Sequence, residues 1–233
     1  MVPTRTMPGG DPPVIDGMAN WLDFVISRWD EVLQLTLETA RLVLISMSIG
    51  SVICLALGIL AHRVPMLREP FLAVASVAIT IPSLALFAIF IPLVGIGNLP
   101  ALMALVIYSL LPILRNTITG LDGVDPAVVE AAKGMGLSPF QRLRSVELPL
   151  AWPVIITGIR VSTMLNTGIS AIAVLVGGDG LGEFIQDGLN RYPLPTSVER
   201  TWTGIVFTVL LALVFDLAFS GVNRLTTSKG IRS

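Results

Sequence analysis

The sequence predicts an all-α membrane protein with about five spanning helices. Of its 233 residues, 53% are hydrophobic and only 13% charged, at a mean hydropathy of +0.81. That is more apolar surface than a soluble domain of this size can bury. Five apolar runs approach or exceed the roughly 20 residues that cross a hydrocarbon core of about 30 Å. The charged residues collect between the runs, as a bilayer requires. A net charge of −1 with no basic stripe gives no reason to expect nucleic acid.

Taken in chain order, residues 1–17 carry Pro3, Pro8, Gly9, Gly10, Pro12 and Pro13 and are expected to be disordered. They show no basic segment followed at once by an apolar core, so no cleaved signal peptide is expected. Residues 18–37 are amphipathic: Trp21, Leu22, Val25, Ile26, Trp29, Val32 and Leu33 recur at helical spacing among Asp23, Arg28, Asp30 and Glu31. Such a helix suits either the headgroup layer or packing on the bundle. Spans are then expected over Leu42–Ala61, Phe71–Val94, Leu99–Leu114, Val154–Val176 and Trp202–Val222. The third covers only about 24 Å at 1.5 Å per residue, and is expected to extend through Arg115 and Asn116. The resulting division is 1–37 as terminus and interfacial helix, 38–222 as the membrane domain with a loop over about 120–152, and 223–233 as a tail.

Positive charge orients the spans. Arg63 and Arg68, then Lys133, Arg142 and Arg144, then Arg224, Lys229 and Arg232 fall on one side of a five-span topology. The opposite side receives the N-terminus and the loop over 177–201, with Asp179, Glu183, Asp187 and Glu199 against Arg191 and Arg200. The expectation is N-terminus out and C-terminus in the cytoplasm.

Few side chains offer chemistry. One cysteine, Cys54, excludes an internal disulfide, and the lone His62 stands at a span end. No multi-His metal site or Cys–His pair can be assembled from them, and no span offers a His for an intramembrane hydrolase. Gly177-Gly178-Asp179-Gly180-Leu181-Gly182 is glycine-rich, but lacks the lysine and spacing of a phosphate-binding loop. It reads as a tight hairpin near an outer gate or as a plain turn. Any ATP used must therefore be bound by a partner. Arg160 and Asp216 lie at similar depth in the fourth and fifth spans; charges there are costly unless paired or wetted, so they either pair or serve transport. Thr80, Pro82 and Ser83 interrupt the second span, where the proline frees a carbonyl. Asn166 and Ser170, one turn apart, either line a cavity or bond between helices.

The central loop is the most specific segment. Asp125 can cap a helix with Pro126 at its first position. Gly136 falls where a helix end needs a left-handed residue, and Ser138-Pro139-Phe140-Gln141 has capping-box spacing. Within it, Glu130-Ala131-Ala132, three residues, Gly136, nine residues, and Val146-Glu147-Leu148-Pro149 resemble the EAA loop of ABC-importer permeases at every fixed position. Thr80-Ile81-Pro82-Ser83-Leu84-Ala85-Leu86, Leu110-Leu111-Pro112-Ile113-Leu114-Arg115-Asn116-Thr117, Gly120-Leu121 and Gly123-Val124-Asp125-Pro126 are similar to permeases of the glycine betaine, carnitine and choline group, the osmoprotectant importers. The stretch at 177–182 departs from that group, whose members end it Gly-Gly-Leu-Gly.

The resemblance implies a type I ABC importer permease fold in a bacterial inner membrane, working with a second permease copy or paralogue and cytoplasmic ATPase subunits. The chain itself then holds no cofactor, ATP and Mg belonging to the ATPase, and performs no covalent chemistry. Some relatives carry the binding protein fused after the last span; this chain ends at Ser233, so a separate extracytoplasmic binding protein is expected. Glu130 would offer a charged contact to the ATPase, Ala131 and Ala132 close approach, Gly136 a sharp exit, and Leu148 and Pro149 the entry to the next span. Ser83, Asn166 and Ser170 would form a polar translocation path. The alternatives are an ABC importer for another small solute such as an amino acid, or a secondary transporter, for which only Arg160 and Asp216 are available. Trp21, Trp29, Trp152 and Trp202 lie at or outside span ends, so no aromatic cage is expected inside the bundle and selectivity is expected in the binding protein.

Overall fold

The computed structural model describes residues 13–226. The expectation of disorder over 1–17 therefore falls mostly outside the described residues, and Pro13–Gly17 open a helix. Ten α-helices follow in order: α1 Pro13–Ser27, α2 Trp29–Arg63, α3 Arg68–Thr80, α4 Ser83–Val94, α5 Asn98–Asp122, α6 Pro126–Gly134, α7 Pro139–Arg142, α8 Leu148–Ser170, α9 Gly182–Asn190 and α10 Ser197–Thr226. A π-helical stretch, Leu143–Glu147, joins α7 to α8, and a short 3-10 helix, Ala173–Val176, follows α8.

Four of the described helical segments are long and apolar enough to cross a membrane, and a bent pair brings the number to five. The first differs from its expected bounds. The amphipathic segment 18–37 divides at Arg28, and its second half is continuous with the first span in the 35-residue α2. Nothing between Trp29 and Ile49 breaks a helix. Thr36, Thr39, Ser46 and Ser48 return their hydroxyls to carbonyls three or four residues back at 2.7–2.9 Å, so their polarity is absorbed within the helix. α1 lies on the bundle: Phe24 and Val25 are buried, and the Trp21 indole N–H donates to Thr203 of α10 at 3.0 Å. Its other face, with Met18, Leu22 and Ile26, is exposed.

The expected second span is two helices, α3 and α4, bent by 100° at Ile81–Pro82. Proline has no N–H for the ladder and fixes its own φ, and Ile81 is extended at φ −68°, ψ 128°. The third span runs to Asp122, past Leu114 as expected and six residues beyond the expected extension through Asn116. Thr117 and Asn116 bond back to Ile113 and Pro112 carbonyls at 2.8 Å, which lets the helix carry polar residues past the apolar run. The fourth span begins at Leu148 and ends at Ser170, six residues before the expected limit, because the last segment turns into the 3-10 helix and the left-handed Gly177 at φ +79°.

α5 is the central helix and packs along both α2 and α8. In lipid the association of helices rests on close packing and interhelical hydrogen bonds, since no water is expelled. Both are present. Gly158 of α8 lets the backbones approach: a Cβ there would lie 2.6 Å from Asn116 Cβ and 2.8 Å from the Pro112 carbonyl. One and two turns on, Ser162 donates to the Ser109 carbonyl at 3.2 Å and Asn166 to that of Leu105 at 2.9 Å. Cys54 is buried in the same core. α10, in contrast, exposes Val209, Leu210, Leu213, Val214 and Leu217, as a lipid-facing helix does.

Candidate functional site

At one end of the bundle the chain between α5 and α8 forms two capped helices. The Asp125 carboxylate accepts from the Ala127 amide at 2.8 Å, with Pro126 first in α6. α6 closes in a Schellman arrangement: Gly136, at φ +82°, donates its amide to Lys133 O at 2.9 Å, and Leu137 donates to Ala132 O at 3.2 Å. Ser138 and Gln141 then form a reciprocal capping box at the start of α7, at 3.3 and 2.8 Å. Short-range chemistry alone thus fixes the shape of the loop.

The residues of the EAA pattern divide between two faces. Glu130 and Ala131 are exposed, whereas Ala132 is buried. Close approach to a partner is thereby available to Ala131 and not to Ala132. Lys133 donates to Glu130 at 2.5 Å and holds its carboxyl below the usual carboxylate range. Leu148 packs with Leu121, Val124, Ala151 and Ile155, while Pro149 is exposed at the start of α8. Met135 and Phe140, at 73% and 70% exposure, stand on the loop tip with Val128. Their apolar character in a polar loop was the available sequence signal, and the EAA pattern does not include them.

Beneath the loop lies an ion network that sequence spacing does not reveal. Glu147, 2% exposed, accepts from Arg63 Nη2 at 2.9 Å and from Arg142 Nε at 2.8 Å, with His62 Nε2 at 3.9 Å. Arg63 also reaches the Pro139 carbonyl at 3.4 Å. Asp122, ending α5, accepts from His62 Nδ1 and from Arg68 Nη1, both at 2.7 Å. These groups and Glu130, Lys133 and Val129 line an open cleft of about 490 Å³. His62 is thus a hydrogen-bonded member of this cluster at a span end. Among the described residues no group of His, Cys, Asp and Glu could hold a metal ion.

The break between α3 and α4 forms the second feature. The Ile81 carbonyl accepts from the Tyr108 hydroxyl of α5, which supplies the partner that the proline interruption requires. Ile79, Thr80, Pro82, Ser83, Tyr108, Leu165 and Ile169 border an open cavity of about 320 Å³ here. Of the three path residues expected from sequence, Ser83 lies at this cavity. Asn166 and Ser170 are on the opposite, buried face of α8: Asn166 Nδ2 bonds Leu105 O and meets Met47 Sδ at 3.3 Å, and Ser170 returns to Thr167 O at 2.7 Å. Asn166 is fully buried, with its Oδ1 unpartnered. Arg160 and Asp216 form a bidentate pair at 2.5 and 2.8 Å between α8 and α10.

At the far end the glycine-rich turn draws segments together. Asn98 exchanges two hydrogen bonds with Asp179 at 2.7 and 2.9 Å, and the Leu181 amide donates to Thr39 at 2.8 Å.

Known proteins share both sequence and shape with this chain. It is 39% identical over 215 residues to the choline transport system permease protein OpuBB of Bacillus subtilis, covering 92% of this chain and 97% of that one. It is 38% identical to the osmoprotectant import permease protein OsmW of Salmonella typhimurium, over 91% and 99% of the two chains. Among solved structures, one titled for inward-facing conformations of the MetNI methionine ABC transporter matches at TM-score 0.74 and 25% identity, covering 84% of this chain and 96% of that one. Its fold is therefore that of an ABC importer permease. A family model for the inner membrane component of binding-protein-dependent transport systems matches residues 41–227, and the chain belongs to that family.

Proposed function

We propose that the chain is the permease subunit of an ATP-driven importer that moves quaternary-amine osmoprotectants such as choline, glycine betaine or carnitine across a bacterial inner membrane. The observation that carries this reading is the α6–α7 loop. Its two helices are fixed by their own caps, its tip presents Glu130, Ala131, Met135 and Phe140, and its base is tied to three spans. That is what a lever for a separate ATPase requires. Lys133, Arg142 and Arg144 sit in this loop beside Arg63 and Arg68, and acidic residues dominate the connection over 177–201. The positive-inside rule then supports N-terminus out and C-terminus in the cytoplasm.

The cargo follows from the relatives, whose names cite choline or osmoprotectants at 37–39% identity over more than nine-tenths of this chain. The likeness to the methionine transporter is lower in identity and supports the fold more than an amino-acid cargo. Selectivity rests with an extracytoplasmic binding protein, and the ATPase subunits hold ATP and Mg. The cargo path passes the α3–α4 break beside Ser83 and Tyr108. Asn166 serves that path by holding α8 to α5, while Leu165 and Ile169 of α8 face the cavity; Ser170 bonds only within α8.

The test is uptake of labelled choline, glycine betaine, carnitine and methionine into vesicles containing the full complex. ATP-dependent uptake of at least one quaternary amine and none of methionine is expected. Uptake of methionine alone would overturn the cargo, and uptake independent of ATP would overturn the function.

A further inference from the structure

We propose that Glu147 is a positioning residue: its carboxylate, clamped by Arg63, makes the end of α2 and the ATPase-facing loop move as one body. The inference rests on the proposed function for what drives the loop. It goes beyond that reading in saying how the motion enters the spans.

Glu147 belongs to the π-helical stretch at the base of the loop and is almost fully buried. One oxygen faces Arg142 of α7, within the loop itself; the other faces Arg63, the last residue of α2. Arg63 also touches the carbonyl of Pro139, which begins α7. One guanidinium therefore grips the loop at two points while belonging to a different span. The next residue back, His62, is held by Asp122 at the end of α5, and Asp122 also holds Arg68 at the start of α3. Glu147, Arg63, His62, Asp122 and Arg68 thus link the loop to α2, α5 and α3 without a gap.

Chemistry makes this chain stiff. A buried carboxylate is disfavoured without cations on its oxygens; Arg142 would still hold one oxygen of Glu147 if Arg63 left, so separation of Arg63 strips the other oxygen of its partner. Charge-assisted bonds to guanidinium are also directional. The other end of α3 is the Ile81–Pro82 break, held to α5 through Tyr108. Displacement of the loop consequently reaches the cavity through a helix tied at both ends. α7 and α8 are continuous through the π-helical stretch, so the Arg63 pair adds a tie from the loop to α2 that the α7–α8 continuity does not provide.

The experiment uses the complete reconstituted complex and compares Glu147→Gln, Arg63→Gln and Arg63→Lys with the parent. Three quantities are read per folded complex: ATPase retention, stimulation of hydrolysis by loaded binding protein, and solute imported per ATP. The link lies on the one route by which the spans and the loop would act on each other, so its loss should weaken both stimulation and import. Glu147→Gln and Arg63→Gln are expected to retain the ATPase and its basal hydrolysis but to lose stimulation and import per ATP by at least about fivefold. Arg63→Lys, which keeps the cation, should recover at least half of the loss. If Glu147→Gln does not accumulate, Arg63→Gln at the partly exposed end of the pair carries the same comparison. Parent-like import per ATP in Arg63→Gln would overturn the proposal, as would release of the ATPase, which would make these docking residues. A parent chain that retains no ATPase at all would instead overturn the proposed function and this inference with it.

Discussion

Gly136 sets the exit of α6. Its φ of +82° is reached by a β-branched residue only at a cost of roughly 1–2 kcal/mol, and no atom outside the turn obstructs a Cβ there. Gly136→Val should therefore leave the spans intact and distort only the turn before Leu137. The expected outcome is normal membrane abundance with loss of ATPase retention and uptake, read by co-purification. Wild-type retention at equal abundance would show that the turn is not needed for docking. The caps of this loop were legible in the sequence because each involves partners no more than five residues apart: Asp125 with Ala127, Ser138 with Gln141, Gly136 with Lys133. The separation of Ala131 from Ala132 was not, since helical neighbours differ in direction and only the packed structure says which faces inward. Asn166 was legible as a buried polar residue, but its Leu105 partner lies 61 positions away.

The break between α3 and α4 governs the element scale. Pro82, Thr80 and Ser83 announced an interruption, yet a proline can kink a span or end it, and the Tyr108 hydroxyl that bonds at the 100° bend comes from another helix. Tyr108→Phe keeps the ring and removes the donor to the Ile81 carbonyl. The carbonyl is part-buried at the open cavity, so loss of this hydrogen bond costs about 0.5–1.5 kcal/mol. A lower unfolding temperature in detergent and slower uptake, with the ATPase still retained, are expected. If both quantities match the parent, the Tyr108 hydroxyl does not hold the break. The length of α2 was hidden for a different reason. Hydropathy marked only its apolar section, while the hydroxyls of Thr36, Thr39, Ser46 and Ser48 satisfy themselves inside the helix and let it continue through a polar stretch. The Gly158 contact belongs to this scale as well: α8 can lie on α5 only where a side chain is missing, and Gly158→Leu is expected to cost about 1–3 kcal/mol through overpacking, measured by the same unfolding assay.

Across the whole molecule, the alternation of charge between the two ends was readable from composition, and so was the all-helical membrane class. The ion network was not. Arg63 and Glu147 are 84 positions apart, and His62 and Asp122 are 60 apart; in sequence each looks like an ordinary charge at the edge of a span. Only the folding of α2, α5 and α8 to one end gathers them under the loop. The most direct measurement is the reactivity of a cysteine placed at Met135, the exposed tip of that loop, in sealed membranes. The chain's one native cysteine, Cys54, is buried, so the added thiol dominates the signal. Labelling only by reagents that reach the cytoplasmic side, and protection when the ATPase is present, is the result expected of an ATPase-driven permease. Labelling from outside, or labelling indifferent to the ATPase, would contradict it.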